Sequence, residues 1–296
     1  MKILNFGSLN LDYTYQVAHI VLQGETITSS GLAIHPGGKG LNQSIALARA
    51  GAAVSHAGQI GEDGVMLKKI CAQNGVDTTF IETVPTRSGN AIIQVDEHGQ
   101  NSIILFPGAN RAITRPMVDK VFETFGKEDC LLVQNEISCL PYIIDKAWEK
   151  GLKIIMNPSP MDSRIYECDL TKVSMFILNE VEGAQMTGKK EASDILDRMR
   201  DLFPDAEVVL TLGSEGSVYC SQDILLRQEI FPAEIRDTTG AGDTFTGFFI
   251  AEYLESRDPK KALETASRAA SIAVSREGAA GSVPTMKEVK SWHKEV

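Results

Sequence analysis

The chain has 296 residues, enough to bury a substantial core in one large α/β domain or two smaller ones. Its 43% hydrophobic and 23% charged content is ordinary for a soluble globular protein. The balance of 29 Lys+Arg against 39 Asp+Glu, a net charge of −10, argues against a nucleic-acid footprint, and it means that an anionic ligand must be met locally, by backbone dipoles, a few basic residues or Mg²⁺.

Ile3 to Gly7 reads as a buried strand ending at a glycine turn. Tyr13, Tyr15 and Val17 then alternate, and a Gly24-Glu25 turn precedes Thr26 to Ile34, which predicts antiparallel or lid-like β structure. Leu41, Ile45 and Ala48 recur at helical spacing up to Gly51. Ala91 to Val95 and Ser102 to Phe106 flank Asp96 to Gln100, a hairpin signal.

From about residue 115 strands and helices alternate. Helical Met117 to Phe125 leads to apolar Cys130 to Val133, and Pro141 to Lys150 leads to Lys153 to Met156. Met175 to Leu178 precedes helical Val181 to Met186, and helical Ile195 to Leu202 precedes Glu207 to Leu212. After a β-like run from Leu225 to Ile235, helices are expected over about 241 to 255 and 259 to 275. This pattern predicts a mostly parallel sheet covered on both faces, in a single domain over 1–296 with a small β lid at about 12–35 and 90–106.

Cys71, Cys130, Cys139, Cys168 and Cys220 form no Cys-x-x-Cys pair, so they read as reduced, cytoplasmic thiols rather than a disulfide frame or zinc site. The five histidines show no metal-ligand spacing. No apolar run approaches the ~18 residues of a membrane helix, and Met1 to Phe6 reads as a strand rather than a signal peptide.

The most informative stretch is Arg236 to Phe245, where Gly240-Ala241-Gly242 opens the helix expected from 241. Small residues let backbone N–H groups approach an anion, and the helix adds unpaired donors and the positive end of its dipole. Asp243 stands in the first turn, where a carboxylate suggests proton chemistry beside a phosphate, or acidic capping of a glycine turn.

Gly37-Gly38-Lys39-Gly40-Leu41-Asn42-Gln43 is a second glycine cluster before a helix, neither a Walker A loop nor a Rossmann fingerprint. Its glycines permit close approach to a ligand, with Lys39 and Asn42 as donors; an ordinary tight turn is the alternative. Asn10 and Asp12 follow the first strand and could present an amide and a carboxylate to adjacent hydroxyls, or form an Asx turn. Asn179 and Glu182 have capping-box spacing and could also organise Mg²⁺-bound water. Thr211-Leu212-Gly213-Ser214-Glu215-Gly216 is a strand end and glycine turn, suited to a nucleotide or to a hairpin.

Taken in order, Gly-Ser-x-Asn-x-Asp, Gly-Gly-Lys-Gly-x-Asn-Gln, Asn-x-x-Glu, Thr-Leu-Gly-Ser-x-Gly and Asp-Thr-x-Gly-Ala-Gly-Asp-Thr-Phe resemble the ribokinase-like (phosphofructokinase-B type) sugar kinases. The likeness runs from Gly7 to about Pro284, including Gly108-Ala109-Asn110 and Asn157-Pro158-Ser159-Pro160. It implies a three-layer α/β sandwich with a small β lid that often also forms a dimer contact.

The activity implied is ATP-dependent phosphorylation of the primary 5-hydroxyl of D-ribose. By the resemblance, Asp243 matches the general base, and Gly240, Ala241 and Gly242 the anion hole. Asn10, Asp12, Gly38, Lys39, Asn42 and Glu136 match sugar-binding positions. Asn179, Thr211, Gly213, Ser214, Gly216, Gly242 and Ser267 match nucleotide contacts, and Glu182 the position that orders Mg²⁺ water. Asp237, Thr239, Ala273, Arg276, Gly278 and Ser282 match a loop that binds a monovalent cation, usually K⁺.

Two positions depart from the family pattern. Ser267 stands where many members carry Asn or His, and Asn135 precedes Glu136 where an apolar residue is more usual. Other acceptors in the same family would be deoxyribose, a ketohexose or a nucleoside. Outside catalysis, the alternative is a silent sugar sensor, against which an intact Asp243 argues.

Overall fold

The computed structural model describes residues 1–292. In chain order the elements are β1 (Ile3–Phe6), β2 (Asn10–Gln16), β3 (Gly31–Gly37), α1 (Lys39–Arg49), β4 (Val54–Ile60), α2 (Val65–Gln73), β5 (Asp77–Thr83), β6 (Gly89–Val95) and β7 (Asn101–Phe106). There follow α3 (Arg115–Phe122), β8 (Cys130–Gln134), α4 (Leu140–Glu149), β9 (Lys153–Asn157), β10 (Met175–Asn179), α5 (Glu180–Thr187), α6 (Ala192–Leu202) and β11 (Glu207–Thr211). The last are β12 (Ser217–Cys220), β13 (Leu225–Gln228), α7 (Ala241–Ser256), α8 (Pro259–Val274) and α9 (Met286–Ser291).

Nine strands form one sheet in the order β13-β12-β11-β10-β9-β8-β1-β4-β5. Every pairing from β11 through to β5 is parallel, and β12 and β13 add an antiparallel edge. Period-two alternation divides the buried strand residues between two cores. On one face Ile3, Cys130 and Leu132 join Leu41 and Ile45 of α1 and Phe248 and Phe249 of α7. On the other, Leu4, Phe6, Leu131 and Val133 join Val118 and Phe122 of α3 and Ile143 and Ile144 of α4. Helices therefore cover both faces, giving the expected three layers.

Four strands form a second, smaller sheet in the order β3-β2-β6-β7, which fits the small β lid of the expected fold. Here β2 pairs antiparallel with β3 but parallel with β6. Because β2 begins at Asn10, the Asn10/Asp12 pair lies in the first residues of the lid sheet rather than on a loop after β1.

The structure moves some boundaries. Residues 26–30, expected in a strand, are irregular, and β3 occupies Gly31–Gly37 instead. The β-like run from Leu225 ends at Gln228, and residues 229–240 form an irregular approach to α7; Pro232 in that stretch lacks the N–H a ladder needs. Thr211 to Gly216 is a hairpin as well as a strand end, since β11 returns antiparallel into β12. Residues 54–83, for which no periodicity was assigned, supply β4, α2 and β5.

Candidate active site

Ligands of open parallel sheets lie beyond the carboxyl ends of the strands, where the strand order reverses. Here the chain runs from β1 outward to β4 and β5 and then returns to β8 on the other side. The side chains expected to act converge at that end of the sheet.

Asp243 sits in the first turn of α7 and is 8% exposed. Its Oδ2 accepts from Asn42 Nδ2 at 3.0 Å, and its Oδ1 from Gln43 Nε2 at 2.9 Å, both from α1. Gly240 precedes the helix in the left-handed region at φ 74°, and a Cβ there would lie 3.0 Å from Ala279 Cα, so only glycine fits without strain. The Ala241 N–H bonds Thr238 O and the Thr244 N–H bonds Gly240 O, whereas those of Gly242 and Asp243 find no backbone acceptor among the described residues. Gly240, Gly242 and Asp243 line a cavity of about 260 Å³ with Lys39, Asn179 and Glu182. Unpaired donors at a helix N-terminus facing a cavity are what an anion site requires.

The cavity's far wall is a strand-end pair. In register, Asn179 of β10 lies beside Thr211 of β11. Asn179 Oδ1 accepts from Glu182 N at 2.9 Å and Glu182 Oε2 accepts from Asn179 N at 3.0 Å, the expected capping box. Glu182 is buried, with one carboxylate oxygen committed to that cap.

Thr211, Thr238 and Gly242 also line a second cavity of about 340 Å³, so the two adjoin. Gly213, Ser214, Gly216 and Ser267 border it as expected, but its bulk comes from Ile230, Phe231, Ile235 and Phe245. Ser267 Oγ donates to Glu229 O at 3.1 Å and Ser271 Oγ to Phe231 O at 2.7 Å, so the α8 serines fasten the irregular wall segment. A mostly apolar slot beside an anion site suits a nucleotide base.

At the other end, Asn110 Nδ2 donates to Asn10 Oδ1 at 2.7 Å while Asn110 Oδ1 accepts from Leu9 N, which fixes the orientation of the Asn10 amide. A Cβ on Gly37 would lie 1.9 Å from Asp12 Oδ2, so glycine leaves the room that this carboxylate fills. Burial and the negative charge of Glu136 push the Asp12 carboxyl up to about 6. Glu136 Oε2 accepts from Lys39 N at 3.1 Å and from Ser8 Oγ. Burial pushes its carboxyl above the usual range, although Ser8 and Lys39 partly counter this.

Gly38 is the N-cap of α1, and Lys39, expected at the sugar, lines the anion cavity as well. Burial disfavours its ammonium, but Asp243, Glu136 and Glu182 together outweigh this and hold it above its ordinary value. One cation thus faces three carboxylates, which together keep it charged in the cavity wall.

Behind the glycine turn, Asp237 Oδ1 accepts from Thr239 N at 2.9 Å and Oδ2 from Gly278 N at 2.8 Å. Burial opposes its charge, but the Thr239 and Gly278 hydrogen bonds win and hold the carboxyl below its ordinary value. Ala273 lies in the last turn of α8, and Arg276 and Ser282 follow in the loop after it; Ser282 Oγ donates to Ala279 O and the Arg276 guanidinium turns away to Glu288. Arg276 could therefore offer a cation only its backbone carbonyl.

The sequence reading did not assign Gln43, Gln134, Asn157 or the Ile230–Ile235 wall to the site. The available signal was polarity out of place, an amide between Leu41 and Ile45 on a buried helix face and another closing the apolar run 130–133.

Residues 1–286 match the family described as pfkB family carbohydrate kinase. The chain is 35% identical over 291 residues to a ribokinase of Haemophilus influenzae, covering 95% of each. Among solved structures, it superposes on the ribokinase of Cryptococcus neoformans in complex with ADP with a TM-score of 0.85 at 34% identity, covering 98% of both chains. The Arabidopsis thaliana ribokinase complexed with ribose and ATP matches with a TM-score of 0.85 at 28% identity over 98% of this chain and 97% of that one.

Proposed function

Because the chain belongs to the pfkB family of carbohydrate kinases, we propose that it transfers the γ-phosphoryl group of ATP to the primary 5-hydroxyl of D-ribose. The observation that carries this reading is the placement of Asp243, a buried carboxylate held by two amides at the mouth of a helix N-terminus with free donors.

In this reading Asp243 accepts the proton of the attacking hydroxyl. The Gly240–Gly242 turn and the N–H groups of Gly242 and Asp243 meet charge developing on the phosphoryl oxygens. Lys39 neutralises part of that charge from α1. Asn10, Asp12, Asn42 and Glu136 orient the sugar hydroxyls, and a lid closing over them would exclude water from the transfer. Thr211, Gly213, Ser214, Gly216 and Ser267 border the base and ribose of the nucleotide.

Among the described residues no three His, Cys, Asp or Glu side chains converge as a direct metal cage. Glu182, with one oxygen in the cap beside Asn179, fits instead the holding of metal-bound water, and Mg²⁺ there would shield the phosphates. The Asp237 brace between the glycine turn and residue 278 supports a monovalent-cation loop formed with Thr239, Ala273, Arg276, Gly278 and Ser282, for which K⁺ is the expected ion.

The lid also supports a homodimer. Across its four strands Ile34, Tyr13, Ile92 and Ile104 stand in one register row, and Ile34, Ile92 and Ile104 are exposed. Such a row on one sheet face fits a second copy of the same lid. Ile34→Lys should shift a dimeric sedimentation profile to monomer, and an unchanged profile would remove this contact. The five free cysteines, four of them buried, support the cytoplasmic setting, and among the described residues no helix is long and apolar enough to cross a membrane.

A coupled ADP-release assay across ribose, deoxyribose, fructose and adenosine tests the acceptor. Ribose should give the highest kcat/KM. A higher value for another acceptor would reassign the substrate, and no acceptor-dependent release would favour the silent sensor.

A further inference from the structure

Behind the Asp243 carboxylate lies a polar network buried in an otherwise apolar core. Gln43, Gln134, Asn5, Ser44 and His56 are each 1% exposed or less, and Asn157 is 8% exposed. Gln43 Nε2 donates to Asp243 Oδ1 and to Asn157 Oδ1, both at 2.9 Å, while its Oε1 accepts from Gln134 Nε2 at 2.7 Å. Gln134 Nε2 donates also to Asn5 Oδ1 at 3.0 Å, and Asn5 Nδ2 to Gly40 O and Ser44 Oγ. Ser44 Oγ meets His56 Nδ1 at 2.8 Å, and His56 Nε2 meets Gly7 O at 3.2 Å.

The direction of each bond follows from groups that can act in one way only. Backbone carbonyls accept and never donate, so Gly7 O fixes the hydrogen on His56 Nε2 and leaves Nδ1 to accept from Ser44. Ile177 O takes the Asn157 amide N–H at 2.8 Å, which turns Asn157 Oδ1 toward Gln43. Gly40 O fixes Asn5 in the same way, and Asn5 Oδ1 then requires the donor end of Gln134. Burial pushes the His56 imidazole down to about 4, so it stays neutral in this role.

A glutamine amide is nearly symmetric in shape, and a flip would aim a carbonyl oxygen at the Asp243 carboxylate. Gln134, donating to Oε1, and Asn157, accepting from Nε2, clamp Gln43 against that flip. The clamp is built into the sheet, since Gln134 and Asn157 are register partners at the carboxyl ends of β8 and β9. Leaving such groups half-satisfied in a core is costly, and in this network Gln134 Oε1 is the one side-chain atom without a partner among the described residues.

We propose that Gln43, clamped by Gln134 and Asn157, is a positioning residue that fixes the orientation of the Asp243 carboxylate toward the acceptor hydroxyl. The proposal rests on Asp243 being the general base. Asn42 holds the other oxygen, so the carboxylate plane is set from two consecutive residues of α1, one bordering the sugar side and one rooted in the core.

The test compares Gln43→Met, Gln43→Glu and Gln134→Met with wild type, reading kcat, KM for ribose and ATP, the pH profile of kcat, and melting temperature. Methionine keeps the side-chain volume without the amide. Gln43→Met should lower kcat by about 10- to 100-fold, the range for a lost hydrogen bond to a charged group, with both KM values little changed. The acid limb of its kcat profile should move to higher pH. Gln43→Glu should move that limb further, because a second carboxylate opposes ionisation of the first. Gln134→Met, which frees the amide to flip, should show the same signature more weakly.

The charged groups facing Asp243 are Lys39 on α1, Glu136 after β8 and, across the cavity, Glu182 on α5, and none of them is altered. If Gln43→Met fails to fold, Gln43→Glu and Gln134→Met carry the same readout. A wild-type acid limb and kcat in these variants would overturn the proposal, as would a loss of kcat that only follows a fall in melting temperature. A crystal structure of Gln43→Met should show the Asp243 carboxylate rotated out of its wild-type plane, and an unmoved carboxylate would count against the clamp. Wild type without sugar-dependent turnover would sink the kinase reading instead, while that structure still judges the contact.

Discussion

In the proposed reading the site has a phosphate end and a sugar end, and the two are made in different ways. The phosphate end is largely backbone: the glycine turn before α7, the N–H groups of its first turn, and the capping box between β10 and α5. The sugar end is made of side chains brought from far apart, with Asn10 set by Asn110 and Glu136 bound to Ser8 and Lys39. A backbone anion hole is neutral and can remain in place whether or not a phosphate is bound. The sugar end instead holds two partly buried carboxylates, and the charge of Glu136 raises the cost of ionising Asp12, a strain that ligand hydroxyls can relieve.

Asp12→Asn should separate the two ends most sharply. It should raise KM for ribose by about 10- to 100-fold, as for a lost charge-assisted hydrogen bond, and leave KM for ATP near wild type. Equal changes in both constants would mean that the ends are not independent. The wild-type profile should show the same separation. As pH falls through about 6 the Asp12 carboxyl takes up a proton and loses the charge that strengthens its hydrogen bond to a hydroxyl, so KM for ribose should rise while that for ATP stays flat.

Stability should move the opposite way. The folded-state value lies above the ordinary value of 3.8, so this carboxyl favours folding least when ionised, above about 6, and does not disfavour it below 3.8. Asp12→Asn should therefore raise the melting temperature at pH 7.5, with the gain disappearing near pH 4. A lower melting temperature at pH 7.5 would contradict a strained pair.

A smaller effect is expected behind the phosphate end. Replacing K⁺ with tetramethylammonium should lower kcat severalfold with little change in KM for ribose, because the Asp237 loop braces the glycine turn and not the sugar pocket. Equal rates in the two salts would remove the cation from the account.

The same contrast explains what could be read from the chain. Gly240-Ala241-Gly242 and the Asn179/Glu182 spacing announce themselves locally, because a left-handed turn requires glycine and a capping box requires its residues three apart. The helices from Ala241 and Pro259 and the β6–β7 hairpin were equally legible from periodicity. Residues 54–83 were not. Every residue of β4 is buried, so Ser55, His56 and Gln59 interrupt the apolar pattern without marking a surface, and only long-range pairing makes it a strand.

Gln43 and Gln134 escaped for the same reason. Ninety-one positions separate them, and their meaning lies in each other and in Asp243. Lys39 was expected with the sugar, and its three carboxylate neighbours, which come from distant elements, could not be read from its own motif.

The central claim is that Asp243 removes the acceptor's proton, and Asp243→Asn tests it most directly. Turnover with ribose should fall by about 10²- to 10⁴-fold, the usual worth of a positioned base, while calorimetry shows ribose and nucleotide bound with affinities close to wild type. Near-wild-type turnover in that variant would contradict the account.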